Sequence, residues 1–153
     1  MDYSENARII VITACGNKKN PQPGPAWRIY RSSRIKYLHK KSQELGYSFY
    51  ILSGKYGLIP AEKHIEPYDE ILSEEKIKKF LPHVIKILEH YDIVIYYQGG
   101  ARSIYRSLIQ TAALSLNKDI IVFGYANMGD INKIEMIINE AIEKWKEKKN
   151  IKQ

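Results

Sequence analysis

Four short apolar runs punctuate the chain: ARIIVITA (7–14), YSFYIL (47–52), DIVIYY (92–97) and DIIVFGY (119–125). They are rich in β-branched and aromatic residues, and the first is apolar on both faces rather than alternating. Such runs belong to strands buried on both sides, as in a parallel sheet. Stretches of helical periodicity lie between them. Residues 28–45 carry Ile35, Leu38, Ser42 and Leu45 on one side and end at Gly46, suited to a left-handed cap. From the capping residue Ser73 onward, Ile77, Phe80, Leu81, Val84 and Leu88 form a stripe with Pro82 inside it. A proline there removes a backbone donor and clashes with the preceding turn, so a kinked or split helix is expected. Gly99 and Gly100 lead to a helix with Ile104, Tyr105, Leu108, Ile109 and Ala112 on one face. Asp130 or a near neighbour is placed to cap a last helix carrying Ile131, Ile134, Ile138, Ala141, Ile142 and Trp145.

Strands alternating with helices predict an α/β, three-layer sandwich: about four parallel strands with helices on both faces, Rossmann-like or flavodoxin-like. Right-handed crossovers restrict the topology, and the flavodoxin-like order 2-1-3-4 is the expected one. The 153 residues suit a single domain spanning 1–153, with a basic C-terminal helix and tail. The segment SGKYGLIPAEKHIEPYDEIL (53–72) reads as a long loop, and loops of that length are usually functional.

In a sheet of this kind ligands bind beyond the carboxyl ends of the strands. The segments there are CGNKKNPQPGPAWRIYRSS, SGKYGLIPAEKHIEPYD, QGGARSIY and GYANMGD. All are rich in glycine and hydrogen-bonding side chains, whereas LGYS and LNKD at the other edge are ordinary connections. The single cysteine, Cys15, falls at the end of the first strand, close to Lys18 and Lys19. Cationic neighbours favour a thiolate; the alternative is a small, inert, buried residue. SGKYG is not a Walker A loop, because Tyr56 follows the lysine and the first glycine is missing. Its amides with Lys55 could hold a single anion, or Gly54 and Gly57 could simply make a tight turn. Glu66, Tyr68 and Asp69 offer an acid in a cleft or a plain turn. Gly99 and Gly100, with Arg102 and Ser103 behind them, suit an anion at a helix N-terminus.

The net charge of +7 favours anionic partners, a nucleotide or nucleic acid above all, although Lys144, Lys146, Lys148, Lys149 and Lys152 could merely solvate the last helix. His39, His64, His83 and His90 lack metal-ligand spacing, and no metal is expected; the sequence leaves any other cofactor open. One cysteine, no apolar run near the ~20 residues of a membrane span and an N-terminus unlike a signal peptide predict a cytoplasmic protein away from the membrane.

Cys15 with Lys19, Tyr30 with Ser33, LSGKYGL (52–58), PYD (67–69) and a later glycine followed by Tyr105 resemble the YaaA-like family of short α/β proteins, over roughly residues 9 to 129. A second motif is similar to the catalytic domain of archaeosine synthase. Cys15 and Lys19 keep one spacing and Tyr30 and Ser33 another; Ala14 stands for a proline, residues 20–29 are inserted, and Lys36 stands for a histidine. That enzyme joins lysine to the nitrile of a 7-deazaguanine base in transfer RNA.

These resemblances imply a pocket for a modified base or nucleotide. Cys15 would be nucleophile or acid/base, Lys19 would stabilise an anion, and Asp69 would be the base or an orienting carboxylate. Tyr30, Ser33, Ser53, Lys55, Gly57, Tyr68, Gly99, Gly100, Arg102 and Tyr105 would bind substrate, with Lys19, Tyr30 and Ser33 turned toward Cys15, a base stacked on Tyr30 and Asp69 closing the cavity. The expected function is a transferase- or hydrolase-like enzyme on a nucleobase, nucleotide or base in nucleic acid. The alternative is a non-catalytic nucleotide or nucleic-acid binding module.

Overall fold

The computed structural model describes residues 6–16, 18–124 and 130–152. The strands are β1 (Ile9–Ala14), β2 (Gly24–Pro25), β3 (Ser48–Ser53), β4 (Gly57–Pro60), β5 (His64–Ile65), β6 (Ile93–Tyr97) and β7 (Asp119–Phe123). The helices are α1 (Ala26–Ile29), α2 (Ser33–Leu45), α3 (Glu74–Leu88), α4 (Ser103–Ser115) and α5 (Ile134–Lys152), the last preceded by a 3-10 turn at Ile131–Lys133.

The main sheet runs β4-β3-β1-β6-β7. Its four parallel members lie in the expected order, second-first-third-fourth, with β1 bonded to β3 on one side and β6 on the other. Every residue of β1 is buried. Its side chains divide by parity, as the pleat requires. Ile9 and Val11 join Ile35, Leu38, Phe49, Ile95, Ile134 and Ile138 in the core under α2 and α5. Ile10, Ile12 and Ala14 join Leu52, Phe80, Val84, Leu88, Tyr96, Leu108 and Ala112 in the core under α3 and α4. The result is the expected three-layer sandwich.

Three expectations change. The helix foreseen over 28–45 is two helices. Tyr30 between them is extended and forms an isolated bridge with Lys19, and Ser32 caps α2 by accepting from the Ile35 amide. The long loop has structure of its own: β4 returns antiparallel along β3, and β5 pairs with β2 from the proline-rich insertion. Pro82 does not split its helix, and α3 runs unbroken from Glu74 to Leu88. Pro82 is exposed, so the carbonyl it leaves without a helical donor lies on the water-facing side. Gly46 ends α2 in the left-handed conformation, φ 79° and ψ 27°, as expected. Asp130 stands before the 3-10 turn, but its side chain makes no capping bond.

The parallel strands bring Cys15, Ser53 and Gly99 to one edge. The Cys15 amide donates to the Leu52 carbonyl at 2.9 Å, continuing the β1–β3 ladder past Ala14. Tyr125, expected at the same edge, lies outside the described residues. Among the described residues no helix is long and apolar enough to cross a membrane.

Residues 66–73 form a strap that crosses back over the β3–β4 hairpin. Gly54 lies directly beneath it: a Cβ there would meet the Glu70 carbonyl oxygen at 2.6 Å and the Ile71 backbone at 2.8 Å. Backbone cannot give way as a side-chain tip can. Gly54→Ala should therefore cost about 1–3 kcal/mol of stability, the usual range for overpacking. Gly100→Ala, with nothing within 4 Å of the added carbon, should be nearly neutral. Equal melting temperatures for the two variants would show that the strap is not seated on Gly54.

Candidate functional site

At the carboxyl edge an open cleft of ≈ 270 Å³ is lined by Cys15, Gly16, Arg34, Ile71, Gly100, Ala101, Arg102 and Tyr105. Five pieces of chain build it: the residues after β1, the first turn of α2, the strap, the turn after β6 and the start of α4. Cys15 is half-buried and packs against both cores, since it leaves the sheet where the two layers part. Its Sγ donates to the Tyr105 hydroxyl at 3.7 Å. The same hydroxyl accepts from the Leu72 amide of the strap at 3.2 Å. Both acceptor positions of the Tyr105 oxygen are thus engaged, and its own proton remains to be donated. Burial, reinforced by the neighbouring Cys15, pushes Tyr105 up to about 12, so it keeps that proton at neutral pH.

Arg34 is the site residue that sequence reasoning missed. Its Nη2 donates to the Ala14 carbonyl at 3.0 Å, and its Nε is buried without a hydrogen-bond partner among the described residues. Burial lowers its pKa, opposed by Tyr96, Cys15 and Tyr97; a guanidinium still keeps its charge. Gly99 gives it room. With φ 50°, Gly99 lies so close that a Cβ would stand 2.9 Å from Arg34 Nη1. The available signal was its position in the first turn of the helix following strand one. Arg102 donates from Nη1 to the Leu72 carbonyl at 3.2 Å. The strap is therefore held at Leu72 by Tyr105 on its amide and Arg102 on its carbonyl.

Beside the cleft lies a buried cluster of hydroxyls. Ser53 Oγ donates to the Tyr68 hydroxyl at 2.6 Å, and Tyr68 and Tyr30 share a further bond of 2.6 Å. The Lys19 ammonium lies over the rings of Tyr68 and Tyr30, 4.5 and 5.7 Å from their centroids. Burial raises Tyr30 and Tyr68, and the nearby Cys15 adds to both shifts. Tyr96 is raised for the same first reason, and its hydroxyl is buried without a partner among the described residues.

Cys15, Gly100, Arg102 and Tyr105 thus meet in the cleft, Gly99 supports it, and Lys19, Tyr30, Ser53 and Tyr68 stand together beside it. Tyr30 has no free face for a base, because it is fully buried. Ser33 is exposed at the start of α2 and does not share the enclosure of Tyr30. Asp69 is exposed on the strap, and the residues lining the cleft do not include it. Lys55 is exposed; its amide and that of Tyr56 donate to Ser53 Oγ at 3.1 and 3.0 Å, so they are already used within the turn. Gly57, φ 78°, pairs with Ser53 where β4 begins and packs on His83. Among the described residues no three His, Cys, Asp or Glu side chains are grouped to hold a metal ion.

The chain belongs to a family of unknown function, DUF6884, whose pattern matches residues 10–121. That span holds every residue of the cleft. No curated protein and no solved structure matches the chain.

The buried tyrosines carry a pH signature. Unfolded tyrosines ionise near pH ~10, whereas Tyr30, Tyr68, Tyr96 and Tyr105 are raised in the fold. Their contribution to stability is full below the unfolded value and is lost as pH rises through the folded values. Spectrophotometric titration should show these tyrosines lagging behind the exposed ones, with stability falling above pH ~10. A single titration of all tyrosines near pH 10 in the folded protein would contradict the buried cluster.

Proposed function

We propose that the protein is an enzyme acting on a nucleobase or nucleotide, with Cys15 as its nucleophile. The observation that carries this reading is the pairing of a half-buried, cleft-facing thiol with a tyrosine that keeps a proton to give. Addition of the thiol across a carbon–nitrogen multiple bond fits the pair. Sulfur forms the new bond to carbon, the π pair moves to nitrogen, and nitrogen takes a proton from Tyr105. The proton leaving sulfur replaces it on the Tyr105 oxygen, along the existing hydrogen bond.

The spacing shared with archaeosine synthase, Cys15 with Lys19, supports a base carrying an electrophilic carbon, such as a nitrile on a 7-deazaguanine. The YaaA-like resemblance supports a pocket built on the same elements. The base would not stack on Tyr30, which is enclosed; exposed Ile71 at the rim of the cleft is the available apolar surface. Lys19 would then act from beside the cleft, tuning the tyrosine cluster through its charge.

The test is intact-mass measurement after incubation with a nitrile-bearing 7-deazaguanine. The wild type should gain one adduct, which Cys15→Ser should lose and Tyr105→Phe should form at least about tenfold more slowly, the usual scale for a lost proton donor. An adduct that persists in Cys15→Ser would remove Cys15 from the chemistry. The net charge of +7 favours a second reading, a non-catalytic nucleotide or nucleic-acid binding module. Steeply salt-dependent RNA or DNA binding, unaffected by Cys15→Ser and without any adduct, would establish it in place of the enzyme.

A further inference from the structure

We infer that Arg34 and Arg102 form a phosphate subsite beside Cys15, so that the substrate is a compact phosphate ester, a nucleoside monophosphate rather than a free base. The phosphate subsite stands on the cleft geometry alone; the nucleoside part rests on the function proposed above.

Both arginines line the same cleft as the thiol. Each is anchored by one nitrogen to a main-chain carbonyl, Arg34 to Ala14 at 3.0 Å and Arg102 to Leu72 at 3.2 Å. A guanidinium has five N–H groups, so each keeps donors in hand while its position is set. Arg34 Nε is buried without an acceptor among the described residues. The residues lining the cleft include two cations and no carboxylate; the nearest acids along the strap, Asp69 and Glu70, are exposed. A pair of guanidinium forks matches a doubly charged, multi-oxygen group better than a single carboxylate. Arg102 also stands at the N-cap of α4, whose first turn has no side-chain cap, so the helix dipole adds to the attraction. The open cleft of ≈ 270 Å³ lies at the lower end of the ~300–1,000 Å³ of small-ligand sites, which suits a compact phosphate ester rather than a polymer.

The probe is inorganic phosphate, with acetate at equal ionic strength as the carboxylate. Two readouts are used: the melting temperature, and the rate at which neutral iodoacetamide alkylates Cys15. Phosphate should raise the first and slow the second, and acetate should do neither. Arg102→Gln, an exposed position, should weaken phosphate about tenfold or more, the scale of a charge-assisted hydrogen bond. Arg34→Lys, which keeps the charge but loses the fork, should weaken it comparably. Lys148→Gln, at the opposite edge of the sheet beside Asp119, should leave it unchanged. A nucleoside monophosphate should bind at least about tenfold tighter than its nucleoside, for the same reason. The inference is overturned if phosphate has no effect, if acetate matches it, or if the arginine variants bind phosphate as the wild type does. It is also overturned if Lys148→Gln weakens phosphate as much as they do. Melting shifts measured on Cys15→Ser separate the two claims. Phosphate binding that persists there stands whether or not Cys15 reacts, and its absence leaves the thiol to be judged by its own adduct.

Discussion

The cleft depends on one close approach, the strap crossing the hairpin at Gly54. The Glu70 carbonyl and the Ile71 backbone lie where a side chain on residue 54 would begin. From that contact the chain can run on to Leu72, whose amide and carbonyl are taken by Tyr105 and Arg102. Lys76, at the start of α3, returns to the Gly54 carbonyl at 2.9 Å and closes the crossing from the other side. Two residues earlier than Glu70, Tyr68 reaches down to Ser53 and Tyr30. The strap is thus held at both ends by tyrosine hydroxyls, and the cleft wall formed by Ile71 lies between them.

This explains how a short chain makes a polar site next to two apolar cores. The parallel ladder delivers Cys15, Ser53 and Gly99 to one edge at no cost beyond ordinary sheet formation. The tyrosines bury large apolar rings while carrying a hydroxyl to the place where the strap needs a partner. Tyr105 does this twice, because its single oxygen serves both the thiol and the strap. A change at sulfur is therefore felt by the wall of the cleft through one atom.

The sheet was legible because its strands are buried on both faces, and runs such as IIVITA and IVIYY have few other uses. Strand edges made Cys15, Gly99, Gly100, Arg102 and Tyr105 legible too, since position after a parallel strand decides where a residue ends up. What could not be seen depends on contacts distant in sequence. Tyr30 looked like a stacking platform until Tyr68 covered it, thirty-eight positions away. Arg34 carries no motif, and its place is set by the Ala14 carbonyl and by the bare backbone of Gly99. Whether Pro82 would split α3 could not be read locally, because local rules cannot tell a solvent-facing carbonyl from a buried one. β4 was hidden inside a Gly- and Pro-rich segment, where the turn residues spoke louder than the apolar pair Leu58–Ile59.

The coupling of thiol and strap through the Tyr105 hydroxyl is the centre of this picture, and hydrogen exchange at the Leu72 amide tests it most directly. In the wild type that amide should be protected, since its acceptor is a buried phenol. In Tyr105→Phe it should exchange much faster, while the amides of β1 and β6 keep their protection and the fold its sheet. Unchanged exchange at Leu72 in that variant would mean that the strap is held without Tyr105 and that the thiol and the cleft wall are independent.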